Sequence, residues 1–442
     1  MDILKQKFQE KAEALFKENR AMLKENGDMV IDQTTISQVF GGMRGMKSMI
    51  WETSELDAFE GIRFRGNSIR QLRKLLPKVE GGKEPLPEGL FWLMLVGEIP
   101  SKREATWLGE EWKKRAEVPK HTFTMLDALP IDTHPMTQFS TAILSMQTES
   151  IFAQRYAEGI NKKDYWDAYY EDSMNLLARL PRVAAYIYRR TYRNGEHIEP
   201  NPELDWGANF AHMLGVTDNP DFLSLMRLYL TIHADHEGGN ASAHTTHLVG
   251  STLADPYYSL SAGMNALAGP LHGLANQEVI KWILGMVEDL GTDTPSNDQI
   301  TDYINKTLSE GKVIPGYGHA VLRQADPRYM AQRIFAEDYI DNDPIVSIVW
   351  KLFNIVPPLL HDLGKVKNPW PNVDAHSGAL LMHYGMKDFG FYTVLFGVSR
   401  AMGVLAAGVW SRALGMPLER PKSLTSLAVK QIIEKSTSNT KD

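Results

Sequence analysis

Hydrophobic positions along this chain recur with the spacing of helices. Apolar side chains return every three to four residues over long segments, whereas sustained alternation of apolar and polar residues, which is typical of a half-buried strand, is hard to find. The spacing predicts helices over residues 223–232, 276–290, 345–360 and 392–414, and clusters of Gly, Pro and Asn separate such segments. The predicted fold class is all-α.

The most apolar run, residues 389–410, reads FGFYTVLFGVSRAMGVLAAGVW and has roughly the ~20 residues that a bilayer crossing needs. Arg400 lies at its middle, where a charge in a membrane costs about 2.5–3.5 kcal/mol. It is the only run of this kind that we predict. We therefore expect a buried core helix of a soluble protein, and no membrane partner.

Composition and charge narrow the class of protein. The chain has 442 residues, of which 43% are hydrophobic, enough for a large core and for two domains. A formal net charge of -7 at pH 7 gives no reason to expect nucleic acid as a partner. Cysteine is absent, which excludes disulfides, cysteine nucleophiles and thiolate metal sites, and suits a reducing compartment.

The first residues, MDILKQKFQEKAEALFKEN, mix acidic and basic side chains at helical spacing and contain no apolar run. Signal peptides and Arg-rich transit peptides have other patterns. We therefore expect a cytoplasmic protein, with the mitochondrial matrix as the alternative for a mature form.

Three short stretches rich in helix-breaking residues each contain one side chain that can transfer a proton. They are GPLHGL (269–274), PGYGH (315–319) and PNVDAH (371–376). The side chains are those of His272, His319 and Asp374. Loops and helix ends far apart in sequence commonly supply the residues of one active site. The pattern predicts an assembled site with two histidines and one aspartate.

Three arginines are candidates for binding an anion. Arg400 lies in the apolar helix, and a buried guanidinium must meet an anion or a full set of acceptors. The two partners that we consider for it are a structural Asp or Glu and a bound carboxylate. Arg328 in ADPRY and Arg420 in LERPKS lie near turns, where exposed salt bridges are the simpler interpretation. Converging guanidinium groups would suit a small di- or tricarboxylate.

Other motifs give weaker signals. The run IHADHEGGNASAHTTH (232–247) pairs histidines at i,i+3, but four histidines without Cys or a carboxylate make an unusual zinc site, so no metal is predicted. HDLGK (361–365) is similar to the HD phosphohydrolases but lacks further ligands that can be placed. GVSRA (397–401) only approaches a nucleophile elbow, so Ser399 is predicted to serve packing.

Two glycine-containing loops, GGMRG (41–45) and VIPGYG (313–318), allow backbone amides to approach an anionic or planar ligand. Basic residues near such loops are Arg44, Arg323, Lys365 and Lys367. A phosphate-bearing ligand is one interpretation of this pattern, and solvated surface charge is the other.

At GPLHGLANQEV (269–279), PGYGHAVLRQADPRY (315–329) and NPWPNVDAHSG (368–378) the chain resembles citrate synthase of the mitochondrial type. The resemblance also includes LYLTIHADHEGGNASAHTTHLVGS (228–251), YTVLFGVSRAMGVL (392–405) and WSRALGMPLERPKS (410–423). It implies an acyltransferase that condenses acetyl-CoA with oxaloacetate and water to citrate and CoA, with no cofactor beyond the CoA substrate.

The resemblance implies a role for each candidate residue. Asp374 is the general base for the methyl group of acetyl-CoA, His272 hydrogen-bonds the thioester oxygen, and His319 polarises and then protonates the keto oxygen of oxaloacetate. The residues implied in binding oxaloacetate and citrate are His236, Arg328, Arg400 and Arg420, the last from a neighbouring subunit. The residues implied in binding CoA are Arg44, also from the neighbouring subunit, Val313, Ile314, Gly316, Tyr317, Gly318, Arg323, Lys365 and Lys367.

Lys162 stands at a position where family members often have an arginine that binds CoA, so the charge is kept and the bidentate fork is lost. The resemblance further implies a homodimer of all-α subunits. A large dimerisation domain would comprise residues 1–273 and 381–442, and a small mobile domain, residues 274–380, would close on oxaloacetate.

Two alternatives stay open at this point. A 2-methylcitrate synthase would use propionyl-CoA, and one methylene in a pocket is worth only about 1–3 kcal/mol. A noncatalytic homologue would bind CoA or citrate without turnover.

Overall fold

The computed structural model describes residues 2–364 and 368–438. This part of the chain contains twenty α-helices and one small antiparallel sheet. The helices are α1 (Ile3–Asn26), α2 (Ile36–Phe40), α3 (Ile69–Leu75), α4 (Pro87–Val96), α5 (Lys102–Arg115), α6 (Lys120–Ala128), α7 (Pro135–Ser145), α8 (Ile151–Ala157), α9 (Tyr165–Tyr192), α10 (Trp206–Leu214), α11 (Asp221–Ile232), α12 (Ala241–Ser251), α13 (Pro256–Leu267), α14 (Ala275–Leu290), α15 (Asn297–Ser309), α16 (Pro327–Tyr339), α17 (Pro344–Asp362), α18 (Asp374–His383), α19 (Tyr392–Ala413) and α20 (Ser426–Ser438). The strands are β1 (Ser54–Asp57), β2 (Gly61–Phe64) and β3 (Asn67–Ser68), in the order β1-β2-β3.

The all-α prediction is confirmed as the fold class. All four predicted helices are present as α11, α14, α17 and α19, and their ends agree with the prediction to about two residues. The sheet was missed because strands of two to four residues are too short to show alternation.

Asp-Pro pairs explain where three helices near the candidate residues begin. Asp255, Asp326 and Asp343 each precede a proline at the first helical position and accept a backbone N–H of the first turn with their side chains. This arrangement satisfies N–H groups that have no partner within the helix, and proline loses nothing at that position. Because α16 begins directly after Asp326, Arg328 lies in the first turn of this helix.

The central helix of the core is α19, which contacts α4, α9, α11, α12 and α13. Gly403 lets it approach the segment after α11, because a Cβ at this position would lie 2.3 Å from the carbonyl oxygen of Ala234. Arg400, one turn earlier on the same helix, is 1% exposed. A long apolar helix therefore delivers one buried charge to a loop that is rich in histidine.

Two helical segments, Pro344–Asp362 and Phe389–Ala413, are long and apolar enough to cross a membrane by length and composition. The prediction that residues 389–410 form the only such run is therefore wrong. In the second segment 89% of the apolar window is buried inside the protein, which agrees with the predicted core helix. Helix α17 contacts α15 and α18 and has Pro357 and Pro358 within it.

Candidate active site

Arg400 organises the centre of the site through uncharged acceptors. Its Nη1 donates to Oδ1 of Asn240 at 2.8 Å and to Oγ of Ser242 at 3.3 Å, and its Nε donates to the carbonyl of His233 at 3.3 Å. No Asp or Glu among the described residues forms an ion pair with it, so of the two partners considered for Arg400, a structural carboxylate is not found. Burial lowers the pKa of Arg400 to about 10, against the opposing charge of Asp235.

His272 lies in the turn between α13 and α14 and is joined to Arg400 through Ser242. The backbone N–H of Ser242, at the start of α12, donates to Nε2 of His272 at 3.2 Å, and the Ser242 hydroxyl lies 2.9 Å from the same nitrogen. Burial, and then the charge of Arg400, lowers the pKa of His272 to about 4. The ring is therefore neutral near pH 7, and Nδ1 carries its proton because Nε2 accepts.

The loop that carries His319 pairs with the segment before α18. Gly318 N–H donates to the carbonyl of Trp370 at 3.0 Å, and Asn372 N–H donates to the carbonyl of Gly316 at 2.9 Å. Gly316 has φ +79, and a Cβ there would lie 2.9 Å from Cα of Ala375, so only glycine fits without a shift. This close pairing places the His319 loop beside the first turn of α18.

Both backbone N–H groups that follow the His319 turn donate to its Nδ1, from Val321 and Leu322 at 3.0 Å each. Nε2 of His319 therefore carries the proton of the neutral ring. Burial, and then the charge of Arg328, lowers the pKa of His319 to about 4. Its ring centroid lies 5.4 Å from that of His236.

Asp374 is the first residue of α18, and its backbone N–H donates to Oδ1 of Asn372 at 3.0 Å. Its carboxylate accepts no hydrogen bond from a residue that the structure describes. Burial raises the pKa of Asp374 to about 6, while the positive charges of Arg328 and Arg400 act in the opposite direction. The site therefore contains a carboxylate that is free to accept a proton and is basic for its type.

Arg328 and His236 complete the centre. Arg328 is 4% exposed and contacts Asp326 through Nε at 3.0 Å and through Nη2 at 2.6 Å, so the expected exposed salt bridge is instead buried. Burial by itself raises the pKa of Asp326, but the Arg328 guanidinium outweighs it and holds this pKa below its usual range. Burial lowers the pKa of His236 well below the ordinary value, and Nε2 of this ring has no partner among the described residues.

The remaining predicted residues lie outside this centre. Arg44 and Arg420 are exposed, on two segments that we call the N-terminal arm, residues 27–50, and the C-terminal arm, residues 417–438. Glu419, beside Arg420, lies with its carboxylate 3.1 Å from Nε2 of both His244 and His247.

The predicted CoA residues are only partly described. In the loop of residues 313–318, Ile314 is buried and Val313 is 79% exposed, while Tyr317 lies beside Pro371. Arg323 donates to the carbonyls of Val321 and Leu322 at 2.8 Å. Lys365 and Lys367 lie outside the described residues.

Lys162 is exposed and lines a groove of about 1120 Å³ between α1, residues 158–167 and the end of α19. The structure therefore brings Lys162 close to none of the buried histidines described above, and its assignment to CoA stays a prediction.

The weaker motifs lie in the core or on the surface. Ser399 is buried within α19 and donates to the carbonyl of Leu230 at 2.6 Å, as predicted. His361 and Asp362 are 82% and 83% exposed. Within residues 2–364 and 368–438 no group of three His, Asp or Glu side chains has the geometry of a metal site.

Sequence reasoning missed several residues that hold the site in place. Asn240 and Ser242 begin α12 in an Asn-Ala-Ser sequence that is typical of a helix N-terminus, and this signal could have identified them. Asp326 was visible as the residue before Pro in ADPRY. Asp235 and Asn372 had no local signal, because their partners are distant in sequence or within an irregular loop.

The family model described as "Citrate synthase, C-terminal domain" matches residues 42–422. This chain belongs to the citrate synthase family. A probable mitochondrial citrate synthase of Glossina morsitans morsitans is 57% identical over 413 residues, which is 93% of this chain and 88% of that protein. The mitochondrial citrate synthase of Kajikia audax is 58% identical over 401 residues, 90% of this chain and 85% of that protein.

Solved structures agree with the family. The citrate synthase of Pyrobaculum aerophilum has a TM-score of 0.77 and 26% identity over 90% of this chain and 97% of its own. That of Thermoplasma acidophilum, solved as a ternary complex with carboxymethyl coenzyme A and oxaloacetate, has the same fold with a TM-score of 0.72, 22% identity and coverage of 89% and 96%. The chain is a transferase that makes citrate from acetyl-CoA and oxaloacetate, and these relatives do not support the methylcitrate synthase alternative.

The expectation of a cytoplasmic protein is wrong. The relatives at 57% and 58% identity are mitochondrial enzymes, which points to the mitochondrial matrix. Residues 3–26 form α1, and its Leu4, Phe8 and Ala12 are buried in the core. The charge pattern on which we based the cytoplasmic expectation therefore reports an amphipathic helix of the fold and carries no information about the compartment.

Proposed function

We propose that Asp374, His272 and His319 divide the proton transfers of citrate formation among them. Asp374 removes a methyl proton from acetyl-CoA, the resulting carbon attacks the keto carbon of oxaloacetate, and His319 gives a proton to the keto oxygen. Water then cleaves the thioester of citryl-CoA to citrate and CoA. The observation that carries this assignment is a carboxylate that accepts no hydrogen bond from a described residue, together with two neutral histidines, each already bonded through one ring nitrogen. The charges of Arg400 and Arg328 act on Asp374, and Arg400 also acts on His272 and Arg328 on His319.

Asp374 suits the role of the base for a physical reason. A general base works best with a pKa near the working pH, and the raised pKa of Asp374, about 6, brings a carboxyl group closer to that condition. The nearby charges of Arg328 and Arg400 favour its ionised form. Asp374 therefore stays anionic near pH 7 in spite of its burial.

A methyl group next to a thioester is a very weak acid, so Asp374 needs a donor placed where the oxyanion develops. His272 supplies it from Nδ1, because Ser242 holds Nε2 as the acceptor. A neutral imidazole still has one N–H with which to donate this hydrogen bond. Because the pKa of His272 is low, the ring does not place a positive charge in the buried site of the free enzyme. His319 offers Nε2–H to the keto oxygen by the same logic.

Oxaloacetate would bind to the guanidinium groups of Arg400 and Arg328 and to the free Nε2 of His236. Arg400 has no carboxylate partner among the described residues, so a substrate carboxylate would supply the missing counter-charge. Arg328 already holds Asp326 through Nε and Nη2, which leaves Nη1 for a ligand. Two buried positive charges together match a dianion.

The enzyme would act as a homodimer in which Arg420 and Arg44 serve the neighbouring subunit. Met29, Val30 and Ile31 are 69%, 71% and 71% exposed, and Phe40 and Leu427 are 66% and 65% exposed. Soluble monomers rarely leave consecutive apolar side chains in water in this way. The two arms that carry Arg44 and Arg420 are the segments on which this apolar surface lies, so a second copy that covers them would receive both arginines.

The pantetheine and adenine portions of CoA would lie along the loop of residues 313–318, with Arg323 and the exposed Lys162 as further basic candidates. Residues 274–380 would close as a small domain and exclude water from the enolate. Helix α18 contacts α14, α16 and α17, and α15 contacts α14 and α17, which supports movement of these helices as a unit. Helix α16 also contacts α3 and α11 of the proposed large domain.

Release of free CoA tests the proposed function directly. The chain has no cysteine, so every thiol detected after mixing with acetyl-CoA and oxaloacetate comes from CoA. We expect release that requires oxaloacetate and is faster with acetyl-CoA than with propionyl-CoA. A preference for propionyl-CoA would contradict the assigned substrate, and release without oxaloacetate would indicate a simple thioesterase.

A further inference from the structure

Asp235 lies at a junction that the mechanism above does not use. It is 0% exposed and precedes His236 in the loop between α11 and α12. Its Oδ1 accepts the backbone N–H of His236 at 2.9 Å. Its other oxygen, Oδ2, accepts three donors from a different part of the chain.

Those three donors lie in residues 51–54, directly after the N-terminal arm, and we call this segment the root of the arm. They are the indole Nε1 of Trp51 at 2.9 Å, the hydroxyl of Thr53 at 2.5 Å and the hydroxyl of Ser54 at 2.8 Å. The Ser54 hydroxyl in turn accepts the backbone N–H of Glu237 at 3.0 Å. One carboxylate thus ties residues 51–54 to the loop that presents His236.

Gly238 brings the same two segments into direct contact. A Cβ at this position would lie 2.5 Å from Sδ of Met49 and 2.7 Å from Cε3 of Trp51. The root of the arm therefore rests on the backbone of the histidine loop. Arg44 lies only seven residues before Trp51, on the exposed side of this root.

We infer that Asp235 is a positioning residue for two active sites at once, the oxaloacetate site of its own subunit and the CoA site of the neighbouring subunit. It acts on the first through His236 and on the second through the arm that carries Arg44. The inference rests on the proposed function, since it assumes that Arg44 reaches across the dimer.

Asparagine breaks this junction with little change of shape. It has one carbonyl oxygen and one NH₂ group, so it cannot accept at both former oxygen positions. Either the His236 N–H or the three donors of the arm root then face an NH₂ group. Glu55→Gln is the matched control, because it removes the same charge from an exposed position in the adjoining strand β1.

The test uses dimers assembled from two differently tagged full-length chains and purified through both tags. One chain carries Asp374→Ala, so only the other chain's site turns over, with Arg44 supplied by the inactive chain. With Asp235→Asn in the inactive chain we expect KM for acetyl-CoA to rise about ten-fold and KM for oxaloacetate to stay unchanged. With Asp235→Asn in the active chain we expect KM for oxaloacetate to rise and KM for acetyl-CoA to stay unchanged.

A change of both KM values from either chain would overturn the inference, because general loosening of the fold gives no such division. An unchanged KM for acetyl-CoA with the substitution in the inactive chain would overturn it too. If Asp235→Asn prevents dimer formation, Trp51→Phe in the inactive chain removes one donor only and should raise KM for acetyl-CoA about three-fold. Turnover by the Asp374→Ala homodimer would instead refute the proposed function.

Discussion

Arg400 and Arg420 are proposed to bind the same substrate, yet they lie in opposite environments. Arg400 is 1% exposed, within a core helix, and three acceptors hold its guanidinium. Arg420 is exposed on the C-terminal arm, and the carboxylate of its neighbour Glu419 lies 3.1 Å from two histidines, His244 and His247. The histidines, Asp374, Arg328 and Arg400 all come from one chain, whereas the arms expose apolar and basic side chains that the proposed second copy would cover.

This difference shows that proton-transfer residues and charge-supplying residues depend on the structure in different ways. Groups that transfer protons need fixed distances and low solvent access, which one folded chain supplies. A group that contributes only positive charge to a bound ligand can come from a neighbouring subunit, because a guanidinium group binds a carboxylate or phosphate whichever chain supplies it. Removing a residue of the buried centre should therefore abolish turnover at the site of that chain. The loss of an arm residue should be compensated by the intact arm of another chain.

The largest effect is expected for Asp374→Ala, which removes the base from the buried centre. Positioned proton transfer contributes about 10²- to 10⁴-fold, so kcat for thiol release should fall by at least that factor while KM for oxaloacetate changes little. Asp362→Ala, at an exposed position, is the control and should leave kcat unchanged. Equal losses in the two variants would show that Asp374 is not the base.

Arg400→Gln and Arg328→Gln separate binding from stability within the centre. Truncating one member of a buried charged contact costs about 2–5 kcal/mol, so both should raise KM for oxaloacetate strongly. Arg328→Gln also leaves the fully buried Asp326 without its partner, so it should lower the free energy of unfolding by about 3–5 kcal/mol. Arg400→Gln leaves only uncharged partners and should destabilise less, as urea unfolding of both variants measures.

If Arg328→Gln proved as stable as Arg400→Gln, the ion pair with Asp326 would not be the interaction that holds α16 in place. The double variant Arg328→Gln, Asp326→Asn is the informative control. It should recover stability because no buried charge is left unpaired, but it should not recover oxaloacetate binding.

Mixing an Arg420→Ala chain with an Asp374→Ala chain tests the arms. Each homodimer lacks one needed residue in both sites. A mixed dimer has one complete site, because the Asp374→Ala chain lends Arg420 to the other chain. Random mixing makes half the dimers mixed, and each has one good site of two, so about a quarter of wild-type activity should return. No recovery after subunit exchange would mean that Arg420 acts within its own chain.

The smallest effect concerns pH. Because the folded enzyme has Asp374 with a raised pKa, about 6, kcat/KM should fall about tenfold per pH unit below that value. His272 and His319, with pKa values lowered to about 4, should add no step between pH 5 and 8. A flat profile through pH 6 would contradict the role of Asp374.

The same shift affects stability in the opposite direction from a salt-bridged carboxylate. A raised pKa in the folded state means that the ionised Asp374 disfavours folding above the ordinary carboxyl pKa. Asp374→Asn should therefore raise Tm at pH 7.5, and this gain should vanish near pH 4, where the wild-type carboxyl group is already protonated. Thermal unfolding at the two pH values measures the difference.

The sequence by itself determined the helical class, the four helices α11, α14, α17 and α19, and the residues with proton-transfer chemistry. These are local properties, since apolar spacing and helix-breaking punctuation are visible in short windows. The motifs around His272, His319 and Asp374 also identified the family, which the comparisons confirm. The compartment was predicted wrongly, because the residues that we examined for a targeting sequence are part of helix α1.

Only the tertiary structure decided the partners and protonation states of those residues. Arg400 has uncharged partners, Arg328 has a buried carboxylate, and Asp235 joins segments about 180 residues apart, as its contacts with Thr53 and Ser54 show. None of these contacts has a local signature, because they form between helices and loops that meet only in the folded core. The pKa values of Asp374 and the two histidines follow from the same burial, since desolvation is a property of the surroundings and not of the residue.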